Sequence, residues 1–144
     1  MIKNLNERLP LTLILLRISV FLVMLMWTLD KFLNPDHAAA VYENFYFIGG
    51  LSPIFFYLIG TIQLIIIIGF VIGVKKKLTY GAVLFFHAVS TASAFKQYLN
   101  PYQDSNLLFF AAWPMLAACF TLYYLRDWDI QWSLSNQGNN KHGR

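Results

Sequence analysis

The chain has 144 residues, 58% hydrophobic and only 12% charged, about half the charged share of roughly 25% found in soluble domains. Its net charge of +4 comes from short basic clusters beside apolar runs, not from one patch, which argues against nucleic acid as a partner. The single cysteine, Cys119, excludes an intramolecular disulfide, a CxxC redox pair and a cysteine zinc site.

Four apolar runs, at about 9–29, 51–74, 78–95 and 107–125, each approach the roughly 17 to 25 residues that a helix needs to cross a bilayer. They predict an all-α integral membrane four-helix bundle in up-down order over residues 1–134, with a disordered cytoplasmic tail over 135–144. The first run fits a secretory signal poorly. It exceeds an h-region of about 7 to 15 residues, and "WTLDKF" intervenes before the small residues of "DHAAAV".

In chain order, "NERLPL" opens the first span with Pro10 in a first turn, where its missing N–H costs nothing. In "DKFLNPDHAAAVYENFYFIGGLSP", Asn34 as N-cap and Pro35 behind it predict a short helix at the outer interface. The "GG" pair ends it, and Pro53 enters the first turn of the second span. "GVKKKLTYG" reads as a tight cytoplasmic hairpin and "KQYLNPYQDSN" as an outer turn. Pro114 falls within the fourth run and predicts a bend. Ala111, Ala118 and Thr121 share its face, as a small-residue surface for close helix contact. After Leu125, "RDWDIQWSLS" alternates charge with Trp128 and Trp132, as a segment resting at the inner headgroups does. Eight flanking Lys and Arg fall on one side of the four runs and two, Lys31 and Lys96, on the other. The positive-inside rule then places both termini in the cytoplasm.

Counted at about 1.5 Å per helical residue, Arg17, Gln63 and His87 lie at one depth. Arg17, Met24, Thr28 and Lys31 share one face of the first helix, and Tyr80, His87, Thr91 and Ala94 one face of the third. Such polar stripes should face protein or a wet cavity. No acid lies within a span, and Asp30 is about 20 Å from Arg17 along the helix and on nearly the opposite face. Two readings of Arg17 stay open. It snorkels to the headgroups, or it joins an internal cluster in which Gln63 and His87 accept its hydrogen bonds. His87 has no second histidine or carboxylate within reach for a metal, since His37 is in the outer loop and His142 in the tail. Trp27 and Trp113 fit an aromatic belt, with ligand stacking as a second role. No nucleophile with its base and no phosphate loop can be assembled, so catalysis by this chain alone is not expected.

"LLRISVFLVMLMWTLDKFLNP", with Lys31, Phe32 and Pro35 in a K-[LF]-x-x-P signature, resembles the opening of the DoxX family. "IGTIQLIIIIGFVIGVKKK" resembles that family's second helix, and "RDWDIQWSL" its polar end after the fourth. The resemblance covers nearly the whole chain and implies a small four-helix protein of the bacterial inner membrane. It also implies a link to quinone-coupled sulfur oxidation or to membrane redox and stress assemblies. Related proteins commonly carry a glutamate where this chain has Gln63; if that acid pairs with the first-helix arginine, this chain keeps the hydrogen-bond acceptor and loses the counter-charge that a proton-coupled activity would use. The resulting expectation is an accessory subunit or assembly factor of a membrane redox system. A quinone- or lipid-like ligand would lie near Arg17, Gln63, His87, Trp27, Lys31 and Trp113. Membrane lipids, a redox enzyme and a second copy of the chain are the expected partners. The alternatives are a small-solute transporter acting as a homo-oligomer and a purely structural membrane partner.

Overall fold

The first apolar run forms one long helix, α1 (Ile2–Leu33), in the computed structural model, which describes residues 2–136. Pro10 therefore lies inside a helix and not in its first turn. The preceding residues are good enough helix formers to extend it backwards, and a proline removes only one donor from the ladder. α2 (Pro35–Tyr46) follows directly, with Pro35 at its first position as expected. Phe47, in the left-handed region at φ 59°, closes it by returning its N–H to the Tyr42 carbonyl, so the helix stops before the two glycines.

α3 (Pro53–Val71) begins at Pro53, again as expected. A tight turn through Gly73 (φ 69°) and Lys75 (φ 44°) leads into α4 (Lys76–Ser93), and a short α5 (Phe95–Leu99) continues it. The last apolar run starts as a 3-10 helix, Asn106–Ala111, and becomes α6 (Ala112–Tyr124). Pro114 thus stands in the first turn of α6 instead of bending the middle of a longer helix. Its ring would clash with a carbonyl one α-turn earlier, and the residues before it take the tighter 3-10 path. A second 3-10 turn, Leu134–Asn136, ends the described chain. The expected disordered tail lies, from residue 137 on, outside the described residues.

The described chain is all-helical, without a strand. Three segments, Glu7–Leu33, Pro53–Val71 and Asn106–Tyr124, are long and apolar enough to cross a membrane. α4 has 18 residues, but its lysines, hydroxyl groups and His87 hold its composition below that level. α1 packs along α3, α3 against α4, and α4 along α6. Between them lie Leu13, Val20, Ile67, Phe70, Tyr80, Val83, Cys119 and Leu122. Within the helices, close approach is tightest at Gly60, where a Cβ would come within 2.8 Å of the Phe32 ring.

The polarity of the molecule is inverted relative to a soluble bundle. Arg17, Thr28 and Lys31 of α1, and Tyr80, His87 and Thr91 of α4, are buried. Leu15, Leu22 and Met26 of α1, Leu58, Ile62 and Ile65 of α3, and Leu78 and Phe85 of α4 are exposed. Both polar stripes seen in the sequence therefore turn inward and the apolar faces outward, which suits a surround of lipid.

Candidate functional site

Arg17 sits midway along α1 with its side chain 1% exposed. Its Nη1 lies 3.2 Å from Asp129 Oδ2 and donates to the Tyr80 hydroxyl at 3.1 Å. Its Nη2 donates to the Gln131 carbonyl at 2.6 Å. Tyr80 in turn donates to Asp129 Oδ2 at 2.7 Å, closing a triangle of guanidinium, phenol and carboxylate. Arg17 thus neither snorkels nor bonds to Gln63 and His87. The acid that answers it comes from beyond α6, in the segment expected at the headgroups.

That segment folds back against the α3–α4 turn. Lys76 Nζ donates to the Asp129 carbonyl at 2.7 Å, Ser133 Oγ to the Gly73 carbonyl at 3.2 Å, and the Leu134 N–H to the Ile72 carbonyl at 3.0 Å. Gly73 is required twice over. Its φ is positive, and a Cβ there would stand 2.6 Å from Ser133 Oγ and 3.1 Å from Arg17 Nη1. Trp128 and Trp132 remain exposed while Asp129 and Ser133 turn in. Arg17 Nε and Asp129 Oδ1 are buried without a hydrogen-bond partner, so the pair is a fastening with imperfect compensation, not a large net source of stability.

A separate cavity of about 880 Å³ lies between α1, α2, α4 and the 3-10–α6 segment, with Gln63 as the contribution of α3. Its volume falls within the range of roughly 300–1,000 Å³ usual for small-molecule sites. Lining residues on α1 run from Leu16 to Lys31, about 22 Å of helix. The Leu16 end is walled by Val20, Met24, Met115, Ala118 and Ser19, whose hydroxyl is spent on the Leu15 carbonyl at 2.9 Å; toward the other end come His87, Gln63, Lys31, Tyr42 and His37. Val23, Trp27, Leu108 and Pro114 line the cavity and are exposed, so it opens sideways between α1 and α6.

The polar groups are held in defined states. His87 Nε2 lies 3.0 Å from the Ala112 carbonyl, which can only accept, so that nitrogen carries a proton. Lys31 Nζ donates to the Trp27 carbonyl at 3.0 Å. Burial, reinforced by the neighbouring Tyr46, pushes the Tyr42 hydroxyl above its ordinary range and keeps it a neutral donor.

No family model, curated protein or solved structure matches the chain. Of the six residues singled out in the sequence, Trp27, Lys31, Gln63 and His87 line the cavity, and Arg17 belongs to the fastening. Trp113 is half exposed outside the cavity lining, with its ring 5.7 Å from that of Tyr98. Ala111, Pro114 and Ala118 face the cavity; their small size leaves space instead of closing a helix contact. Tyr42 and Asp129 escaped the sequence reading. The one hint of Asp129 was a carboxylate set between indoles directly after an apolar run. No group of three or more His, Cys, Asp or Glu that could hold a metal occurs among the described residues.

Proposed function

We propose that the chain is a DoxX-like protein of the bacterial plasma membrane that holds a quinone- or lipid-like molecule as an accessory subunit or assembly factor of a membrane redox system. The observation that carries the ligand reading is the cavity: elongated, apolar at one end, polar at the other, and open sideways where acyl chains would lie. A lipid-soluble molecule enters such a site without leaving the bilayer. The role in this reading is binding: the wall offers donors and a cation, and the hydrogen bond found for the His87 ring goes to the Ala112 carbonyl, not to a serine.

In this reading α4 is a fourth span and the bundle runs up-down. Leu78, Phe85 and Val89 form an exposed apolar line along α4, while its polar residues face protein. Arg8, Lys75, Lys76, Lys77 and Arg126 gather at one end of the bundle, which supports cytoplasmic termini. The redox association rests on the motif resemblance alone.

The test is ligand binding in phosphatidylcholine nanodiscs, read by tryptophan fluorescence, with short-chain ubiquinone and menaquinone analogues and with single-chain lipids as probes. Saturable quenching that is lost in Trp27→Phe and in the cavity-filling Ala118→Phe is expected. If no probe gives a saturable response in a folded protein, the ligand reading falls. Mass spectrometry of lipid-soluble molecules carried through purification from native membranes separates a quinone from a lipid.

A further inference from the structure

Lys31 is 8% exposed and lines the cavity. Among the described residues its ammonium touches one carbonyl, that of Trp27, and no carboxylate. The nearest acid in sequence, Asp30, is turned to other partners: Oδ2 lies 2.7 Å from His37 Nδ1, and Oδ1 accepts from Asn34 Nδ2 at 3.4 Å. Among the described residues the one Lys or Arg within 4.0 Å of a carboxylate is Arg17, at Asp129, and Asp30 is in contact with the His37 ring, so Lys31 has no such pair.

The whole cavity wall repeats this imbalance. It contains one ammonium and two histidines, and neither aspartate nor glutamate. A buried charge without a partner is costly, and buried cations in spanning helices ordinarily pair. The same molecule shows what pairing looks like at Arg17, where a carboxylate is brought from the far end of the chain to meet the guanidinium. Among the described residues no carboxylate comes within 4.0 Å of Lys31, and the neighbouring Asp30 acts on it only from beyond that distance.

We infer that the cavity takes a single-chain amphiphile with an anionic head group, carboxylate or phosphate, whose charge supplies the missing partner of Lys31. The inference rests on the ligand reading above and narrows it. The head group lies at the Lys31 end, where Tyr42 and Gln63 add neutral donors. The chain runs toward Leu16 and Ala118 along the apolar wall, and the lateral opening at Trp27 and Leu108 admits it from the bilayer. A neutral quinone ring would leave the ammonium without a counter-charge.

The experiment compares dodecanoate, dodecyl phosphate and dodecanol, equal in chain length and different in charge, in phosphatidylcholine nanodiscs, with Trp27 fluorescence as readout and inorganic phosphate as a fourth probe. Both anions are expected to bind wild type at least about tenfold more tightly than the alcohol. Lys31→Met should collapse that difference, with both anions falling to the level of dodecanol, whereas Lys31→Arg should keep it. A thermal unfolding transition like that of wild type shows that the Met variant is folded, and the Arg variant supplies the independent check. Equal binding of dodecanol and the anions to wild type would overturn the inference and leave the ligand reading standing. Saturation by inorganic phosphate alone, with the same Lys31 dependence, would overturn the amphiphile in favour of a free anion. No saturable response to any of the four probes would remove the ligand reading and the inference together.

Discussion

Arg17 and Asp129 meet as an ion pair with Nη1 and Oδ2 3.2 Å apart, one from the middle of the first helix and the other from beyond the last, both almost fully buried. Tyr80 bridges them, and the Gln131 carbonyl takes the second guanidinium nitrogen. The end of the bundle is thus closed by the chain's own return segment.

Removing one partner of that pair leaves the other charged and buried. Asp129→Ala is expected to destabilise the protein by about 3–5 kcal/mol, and Arg17→Met combined with Asp129→Leu to restore stability close to wild type. Thermal unfolding in detergent measures both. Additive losses in the double variant would contradict a direct pair.

Gln63 and His87 share no hydrogen bond with Arg17. Arg17→Met should therefore combine additively with Gln63→Glu and with His87→Leu, within about 0.5 kcal/mol. His87→Leu alone removes the donor to the Ala112 carbonyl, at a cost of about 1 kcal/mol. A large coupling energy in either cycle would mean that Arg17 reaches the cavity.

Gly73 offers a probe of the return segment. Gly73→Ala places a methyl 2.6 Å from Ser133 Oγ in a left-handed turn, and should cost more than the roughly 1–2 kcal/mol of left-handed strain alone. Gly50→Ala, with positive φ but open space around it, should cost only the strain. Hydrogen exchange over residues 129–134 should accelerate in the Gly73 variant and stay unchanged in the Gly50 variant.

The basic asymmetry predicts an orientation with both termini in the cytoplasm. In a Cys119→Ala background, Lys77→Cys and Tyr102→Cys place thiols at exposed positions at opposite ends of α4 and its extension. An impermeant maleimide added to intact cells should label only position 102. Labelling at position 77 alone would invert the orientation.

The sequence by itself determined the class of protein and the direction in which its polar groups point. Apolar length set the helices, prolines fixed the starts of α2 and α3, and helical spacing put Arg17, Thr28 and Lys31 on one inward face and Tyr80, His87 and Thr91 on another. These are local properties, because a period of 3.6 residues and a missing N–H act within a few turns. What met those faces was decided only by the tertiary structure. Spacing cannot show that the residues after Leu125 turn back to the α3–α4 hairpin, so Asp129 read as a headgroup residue although it is the counter-charge of Arg17. Nor can it separate small residues that close a helix contact from small residues that leave a void, and Ala111, Pro114 and Ala118 leave one. The depth shared by Arg17, Gln63 and His87 was legible in one dimension, but which of them touch depends on rotation and on the path of a distant segment. That is why four of the six singled-out residues line one cavity while Arg17 fastens the bundle elsewhere.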